Sequence, residues 1–333
     1  MLIELGNILY TVVLPFLLIA GIGFALQRSV GLDMPTLTRL SFHFILPAVM
    51  FSSLVGAEIG AAAIATVVAF TVFSMLLTAA VAYVATLPFR VPRAAVVMGA
   101  SIQNAGNFGL TIQTLAFRSS GLADAATSLY SFYMVTQNVL TFTAGVALAS
   151  SGAGDAGQPK GARTRSHALR EAGRQMLRLP PVYAVAAGVV VMLIRGGLGE
   201  AGPGLQRLLD PFWQVIILVR SAFIGVAVLS LGAQLGTIRF QRIDHAALLA
   251  AILRLVAGPA LGLATIALLG IRGFPAQVLL VGSANPTAVN VMLLCLQFRN
   301  NEDSAARMVL YTPLFSPLTV TLAIYAARSG LVG

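Results

Sequence analysis

Ten runs of mostly apolar residues, separated by charged or Gly/Pro-rich breaks, make up most of the chain: 7–27, 37–56, 61–86, 94–117, 123–149, 180–195, 211–235, 245–270, 275–298 and 305–327. A helix rises about 1.5 Å per residue, so about 20 apolar residues cross the roughly 30 Å hydrocarbon layer of a bilayer. No globular core could hide ten such runs. Of 333 residues, 58% are hydrophobic and 10% charged, whereas a soluble domain carries about 25% charged residues and must still face water. Lipid removes that conflict. The expectation is an all-α membrane protein of about ten transmembrane helices in one membrane domain, with no soluble domain.

The one long polar segment, 150–178, is Gly/Ser-rich and then basic. It divides the chain into a first five-span unit, 1–149, and a second, 179–333. Fourteen of the 21 Lys and Arg lie in segments that face one side if the N-terminus is outside, five face the other, and Arg220 and Arg254 lie within spans. By the positive-inside rule both termini are then outside and the 150–178 linker is cytoplasmic. Five is odd, so the second unit enters the membrane with opposite polarity. That is the plan of an inverted repeat.

The net charge of +10 does not point to nucleic acid, because the basic residues occupy short loops rather than one face. Cys295 is the only cysteine, which excludes an internal disulfide and suggests no metal cluster. The N-terminus lacks the features of a cleaved signal peptide. The arginine-rich composition, with Lys160 as the only lysine, suggests a high-GC bacterial genome and hence a bacterial inner membrane.

Chemistry is expected where the spans are weakest as helices. Span four carries Asn104, Gly106, Asn107 and Gly109; span nine carries Asn285, Pro286, Thr287 and Asn290. Glycine weakens a helix by roughly 1 kcal/mol and proline removes a backbone hydrogen bond. Freed backbone groups survive in a membrane only if buried or lining a wet cavity, and a half-helix amino end suits a carboxylate. An ordinary kink would explain one such span. Breaks in the fourth span of both halves favour a binding site. Arg254 is a second candidate, since no Asp or Glu falls deep in a span to pair with it, and an anionic substrate would. The competing reading is that Arg254 bonds backbone carbonyls at the broken helices, or snorkels; for Arg220 that reading is favoured. His43 could carry a proton but reads better as a packing residue. Gln103, Gln113, Asn138 and Gln234 suit a cavity wall or an interhelical bridge equally, and Trp213 reads as an interface anchor.

These residues resemble the auxin efflux carrier family, including its bacterial members of malate or malonate transporter type. The likeness runs through Leu46, Pro47 and Ala48 in span two, the Asn-x-Gly-Asn-x-Gly-Leu stretch from Asn104 to Leu110, and Ser230, Leu231 and Gly232 in span seven. It continues with Arg254 followed by Gly258, Pro259 and Ala260, and with the Pro-Thr-Ala-x-Asn run from Pro286 to Asn290. The resemblance implies a ten-helix inverted repeat whose fourth and ninth helices cross at unwound points. It implies a scaffold of spans one, two, six and seven, against which the other six move as an elevator. Gly106 stands where plant members have a crossover proline, and Thr111 where many bacterial members have a proline after Gly-Leu.

The function expected is a secondary transporter moving a small organic anion, dicarboxylates included, with the carboxylate held at the two breaks and Arg254 attracting it from the next span. A sodium-coupled symporter of bile-acid type is the alternative. An intramembrane enzyme is remote, because neither a buried Gly-x-Ser-Gly with a deep His nor His-Glu-x-x-His occurs. No cofactor is called for. Membrane lipid is the other partner, nucleic acid is not, and a homodimer is left open.

Overall fold

The computed structural model describes residues 2–55, 59–151, 180–198, 203–238 and 243–332. The linker 150–178, apart from its first two residues, lies outside them. Among the described residues the chain is all helix, without strands. In chain order the helices are α1 (Ile3–Ser29), α2 (Met34–Val55), α3 (Ala61–Thr86), α4 (Arg93–Ser101), α5 (Ala105–Leu110 running on into Thr111–Ala116), α6 (Ala123–Ser150), α7 (Pro180–Leu198), α8 (Asp210–Thr237), α9 (His245–Leu268), α10 (Gly273–Ser283), α11 (Val289–Gln297) and α12 (Glu302–Arg328).

Seven of these, α1, α2, α3, α6, α8, α9 and α12, are long and apolar enough to cross a membrane. The other three expected spans appear as shorter pieces. The apolar part of α7 is Pro180–Ile194. Runs four and nine are each cut in two, as α4 with α5 and α10 with α11.

The two cuts have different causes. In run nine Pro286 has no N–H to donate and disfavours helix in the residue before it, so α10 stops at Ser283 and the backbone stays extended at Ala288 (φ −72°, ψ 145°). Run four has no proline. It opens at Ile102 (φ −94°, ψ 109°), one turn before Gly106, and α5 restarts behind Asn104, whose side chain accepts the Phe108 N–H at 3.4 Å. Asparagine in this role satisfies one of the amides that a helix start leaves free.

Packing follows small residues. Helix α1 lies along the second half of α8, with Gly23 against Leu229 and Gly232 against Ala20 at backbone contact. Helix α7 packs on α2, where Gly188 meets the side chain of Leu54. Helices α3 and α9 each pack on a half-helix, α4 and α10 respectively, and on each other. Five π-helical turns lie among the described residues, at Leu9–Val13, Ser41–Ile45, Ala105–Leu110, Thr141–Gly145 and Leu253–Ala257. Each inserts a residue, and such turns gather at functional positions. The apolar core is split into two clusters. One holds Phe108, Leu110, Val278, Leu279, Val281 and Ala284; the other holds Ala95, Met98, Ile102, Ala288, Val291 and Cys295. Outside both, the residues at the two interruptions form a buried polar layer that includes Gln103, Asn107, Asn285 and Thr287.

Candidate functional site

The two interruptions meet in that layer. Residues 102–104 and 286–288 pair antiparallel: the Asn104 N–H donates to the Pro286 carbonyl at 2.7 Å, and the Ala288 N–H to the Ile102 carbonyl at 3.0 Å. Unwinding strands backbone groups that lipid cannot satisfy, so the pairing answers a demand that each break creates for the other.

Side chains complete the accounting. The hydroxyl of Thr287 donates to the Gly99 carbonyl (2.6 Å), while its own N–H donates to the Thr312 hydroxyl (3.0 Å). The Gln137 amide donates to the Gln103 carbonyl at 2.5 Å. Arg254, 2% exposed, sends one guanidinium N–H to the Ala100 carbonyl (2.8 Å) and another to the Ser283 carbonyl (2.5 Å). Tyr130 from α6 sits between α5 and α10 and accepts a hydrogen bond from the Asn285 amide at 2.6 Å.

Beside the crossing is a cavity of about 460 Å³, within the range of small-molecule sites. Its polar wall includes Gln103, Asn104, Asn107, Gln137, Asn138, Gln234 and Asn290; Phe42, Met134, Met292 and Leu293 form the apolar part, and among the described residues Arg39 is the only charged one lining it. The first turns of α5 (Ala105, Gly106, Asn107) and α11 (Val289, Asn290) both face it. Amides of a first turn lack intrahelical acceptors, and each amino end carries about half a positive charge. The side-chain oxygens of Gln103, Asn107 and Gln137 are buried and have no partner among the described residues.

Of the eight residues singled out in the sequence, Asn104, Gly106, Asn107 and Asn290 line this cavity. Asn285, Pro286, Thr287 and Arg254 do not; they hold the crossing from behind. For Arg254 the contacts made are those of the carbonyl-bonding alternative. Gln113 bridges helices, donating to the Val278 carbonyl at 2.8 Å. His43 is exposed, away from the cavity wall. Arg220 does find a carboxylate: it pairs with Asp124 at the start of α6 and reaches the Ser52 hydroxyl of α2 at 3.4 Å. Sequence reasoning missed this because Asp124 lies at the very end of the fifth run, 123–149, and not deep in a span. It also missed Gln137, signalled only by its place beside Asn138, and Phe42 and Tyr130, which carry no signal of depth or direction.

An all-helical chain with several membrane-crossing helices and a polar cavity between interrupted ones is an integral, multi-pass membrane protein built to pass a solute. The chain matches the membrane transport protein family over residues 8–324, nearly its whole length. It belongs to that family, the auxin efflux carriers, whose members are membrane transporters rather than enzymes. No curated protein matches it.

Proposed function

We propose that this chain is a secondary transporter of a small organic anion, with the carboxylate seated at the amino ends of α5 and α11. The observation that carries the reading is the convergence of both first turns, with Asn104, Asn107 and Asn290, on one cavity. A negative group there meets first-turn amides, that of Ala105 excepted because it donates to the Gln103 carbonyl, and two positive half-dipoles. The apolar side at Phe42, Met134 and Met292 suits the rest of an organic acid, with dicarboxylates included in the class.

Ten membrane-crossing segments in two inverted halves fit the packing. Exchanging α1 with α7, α2 with the span of α8, and α3 with α9 turns the α1–α8 contact into the α7–α2 contact, and the α3–α4 contact into α9–α10. The cavity lies where α2 and α8 face α5, α6, α11 and α12. This supports a scaffold of α1, α2, α7 and α8, with the rest moving against it. With the N-terminus outside, as the basic residues argue, the mouth at Met34, Arg39 and Ile238 opens to the cytoplasm of a bacterial inner membrane.

On the other side of the bundle, Arg220, Asp124 and Ser52 join α8, α6 and α2. In an elevator this pair ties scaffold to mobile unit and must part when the site turns outward. Asp124→Asn should therefore raise external labelling of a Ser53→Cys probe in a Cys295→Ala background severalfold. Unchanged labelling would count against the tie.

The central test is transport by purified protein in liposomes, with thermal shifts against mono- and dicarboxylates. Asn107→Ala and Asn290→Ala should each lower uptake roughly tenfold or more, the effect of about 1.4 kcal/mol of lost binding, without loss of membrane insertion. Parental rates in both variants would sink the site. The same screen run with and without sodium separates the bile-acid-type alternative, for which the buried, unpartnered oxygens of Gln103, Asn107 and Gln137 are the favouring feature.

A further inference from the structure

The crossing gathers four helix ends. Helices α4 and α10 bring carboxyl ends; α5 and α11 bring amino ends. Each carboxyl end carries about half a negative charge, so the two together amount to about one, and the amino ends to about one of opposite sign. Left alone, the ends nearly cancel. Such a crossing would show a solute no preference of sign.

Arg254 changes that balance. Its guanidinium bonds one carbonyl from each carboxyl end, Ala100 of α4 and Ser283 of α10. It is 2% exposed, and among the described residues no carboxylate pairs with it. A full positive charge in the interior is costly unless its field is answered locally, and here the two carbonyl ends answer it. The local structure is shaped for this contact. Arg254 lies in the π turn Leu253–Ala257, and a Cβ at Gly258, one turn on, would stand 2.2 Å from a guanidinium nitrogen. Only glycine leaves the side chain that path.

We infer that Arg254 is a positioning residue, a tethered cation that ties the carboxyl ends of α4 and α10 together and cancels their charge. The amino ends of α5 and α11 then set the sign of the cavity. Arg254 acts on an anion without touching it, a role that rests on the anion-carrier reading above. The tie itself does not depend on that reading.

The test uses the full chain purified in detergent, with unfolding followed by a thiol-reactive dye, since the only cysteine, Cys295, is buried. Arg254→Ala should lower Tm by on the order of 10 °C, a large effect for one side chain. Millimolar guanidinium chloride should restore part of that loss in the variant and none in the parent. Urea, the neutral molecule of the same shape, should restore none. Equal restoration by urea would overturn the charge role, and no guanidinium effect would overturn the tie. If the alanine variant cannot be isolated, Arg254→Lys and Arg254→Gln decide. The lysine variant should melt well above the glutamine one, and equal melting overturns the proposal. None of these arms contains a carboxylate. Failure of the parent to respond to carboxylates would remove the anion reading alone.

Discussion

Alanine at Gly232 is expected to lower the Tm of the purified protein by about 6–12 °C, the shift that about 3 kcal/mol produces in a domain of this order of size. Two effects oppose each other. Within a helix alanine is favoured over glycine by about 1 kcal/mol. Against that, a Cβ at position 232 would lie 1.9 Å from the carbonyl oxygen of Ala20 and 2.6 Å from its carbon. These are backbone atoms, so no rotamer change relieves them, and α1 and α8 must separate along their whole contact. Close approach over small residues is what holds helices together in lipid, where no hydrophobic drive exists between them. Gly23 is the reciprocal position, with a Cβ 2.1 Å from the Leu229 oxygen, and its alanine variant should fall similarly. Gly21 and Gly225, on the same two helices, have nothing within 4 Å of a Cβ. Their alanine variants should melt at or slightly above the parent. If Gly232→Ala behaves like Gly225→Ala, the contact is not holding the bundle.

The second large effect is expected at Tyr130. Its ring is fully buried, stacked on Tyr133 with centroids 4.8 Å apart, and lodged between Gly109 and Gly282. A Cβ at Gly109 would come within 2.7 Å of the ring, its hydroxyl and the Asn285 amide; one at Gly282 would come within 2.5 Å of the ring. The tyrosine is thus a wedge between the half-helices on which the cavity depends. Tyr130→Ala should cost about 3–5 kcal/mol through the void it leaves. Tyr130→Phe keeps the shape but leaves the Asn285 donor buried and unmet, for about 1–3 kcal/mol. Gly109→Ala should resemble the alanine variant in uptake, because it dislodges the same ring. Melting curves and liposome uptake on the three variants check the order. A phenylalanine variant as damaged as the alanine one would show that the hydroxyl, and not the wedge, carries the effect.

The sequence alone shows where helices run and break better than which way their side chains point. The helical class and the interruption at Pro286 could be read beforehand, and Asn104, Asn107 and Asn290, singled out at the two breaks, do line one cavity. Which way a side chain points could not be read. Asn285, Pro286 and Thr287 lie at the second break too, yet turn behind the crossing to bond Tyr130, Asn104 and Gly99. The five π turns explain part of the difficulty, since an inserted residue rotates everything beyond it and breaks the 3.6-residue phase on which face assignments rest. The first interruption lies a turn before Gly106 because pairing with residues 286–288, not local propensity, opens the helix there. Arg254 and Asp124 found partners from distant segments, which spacing along the chain does not reveal.

Because the two halves are laced together through amide and carbonyl atoms at Ile102, Asn104, Pro286 and Ala288, the knot is indifferent to most of the side chains hung on it. On the reading proposed above, Phe42, Met134, Asn138 and Met292, which line the cavity, are the positions to exchange for a different guest while the framework that presents them stays put. Retargeting such a carrier should therefore begin at these four positions, and leave the crossing strands alone.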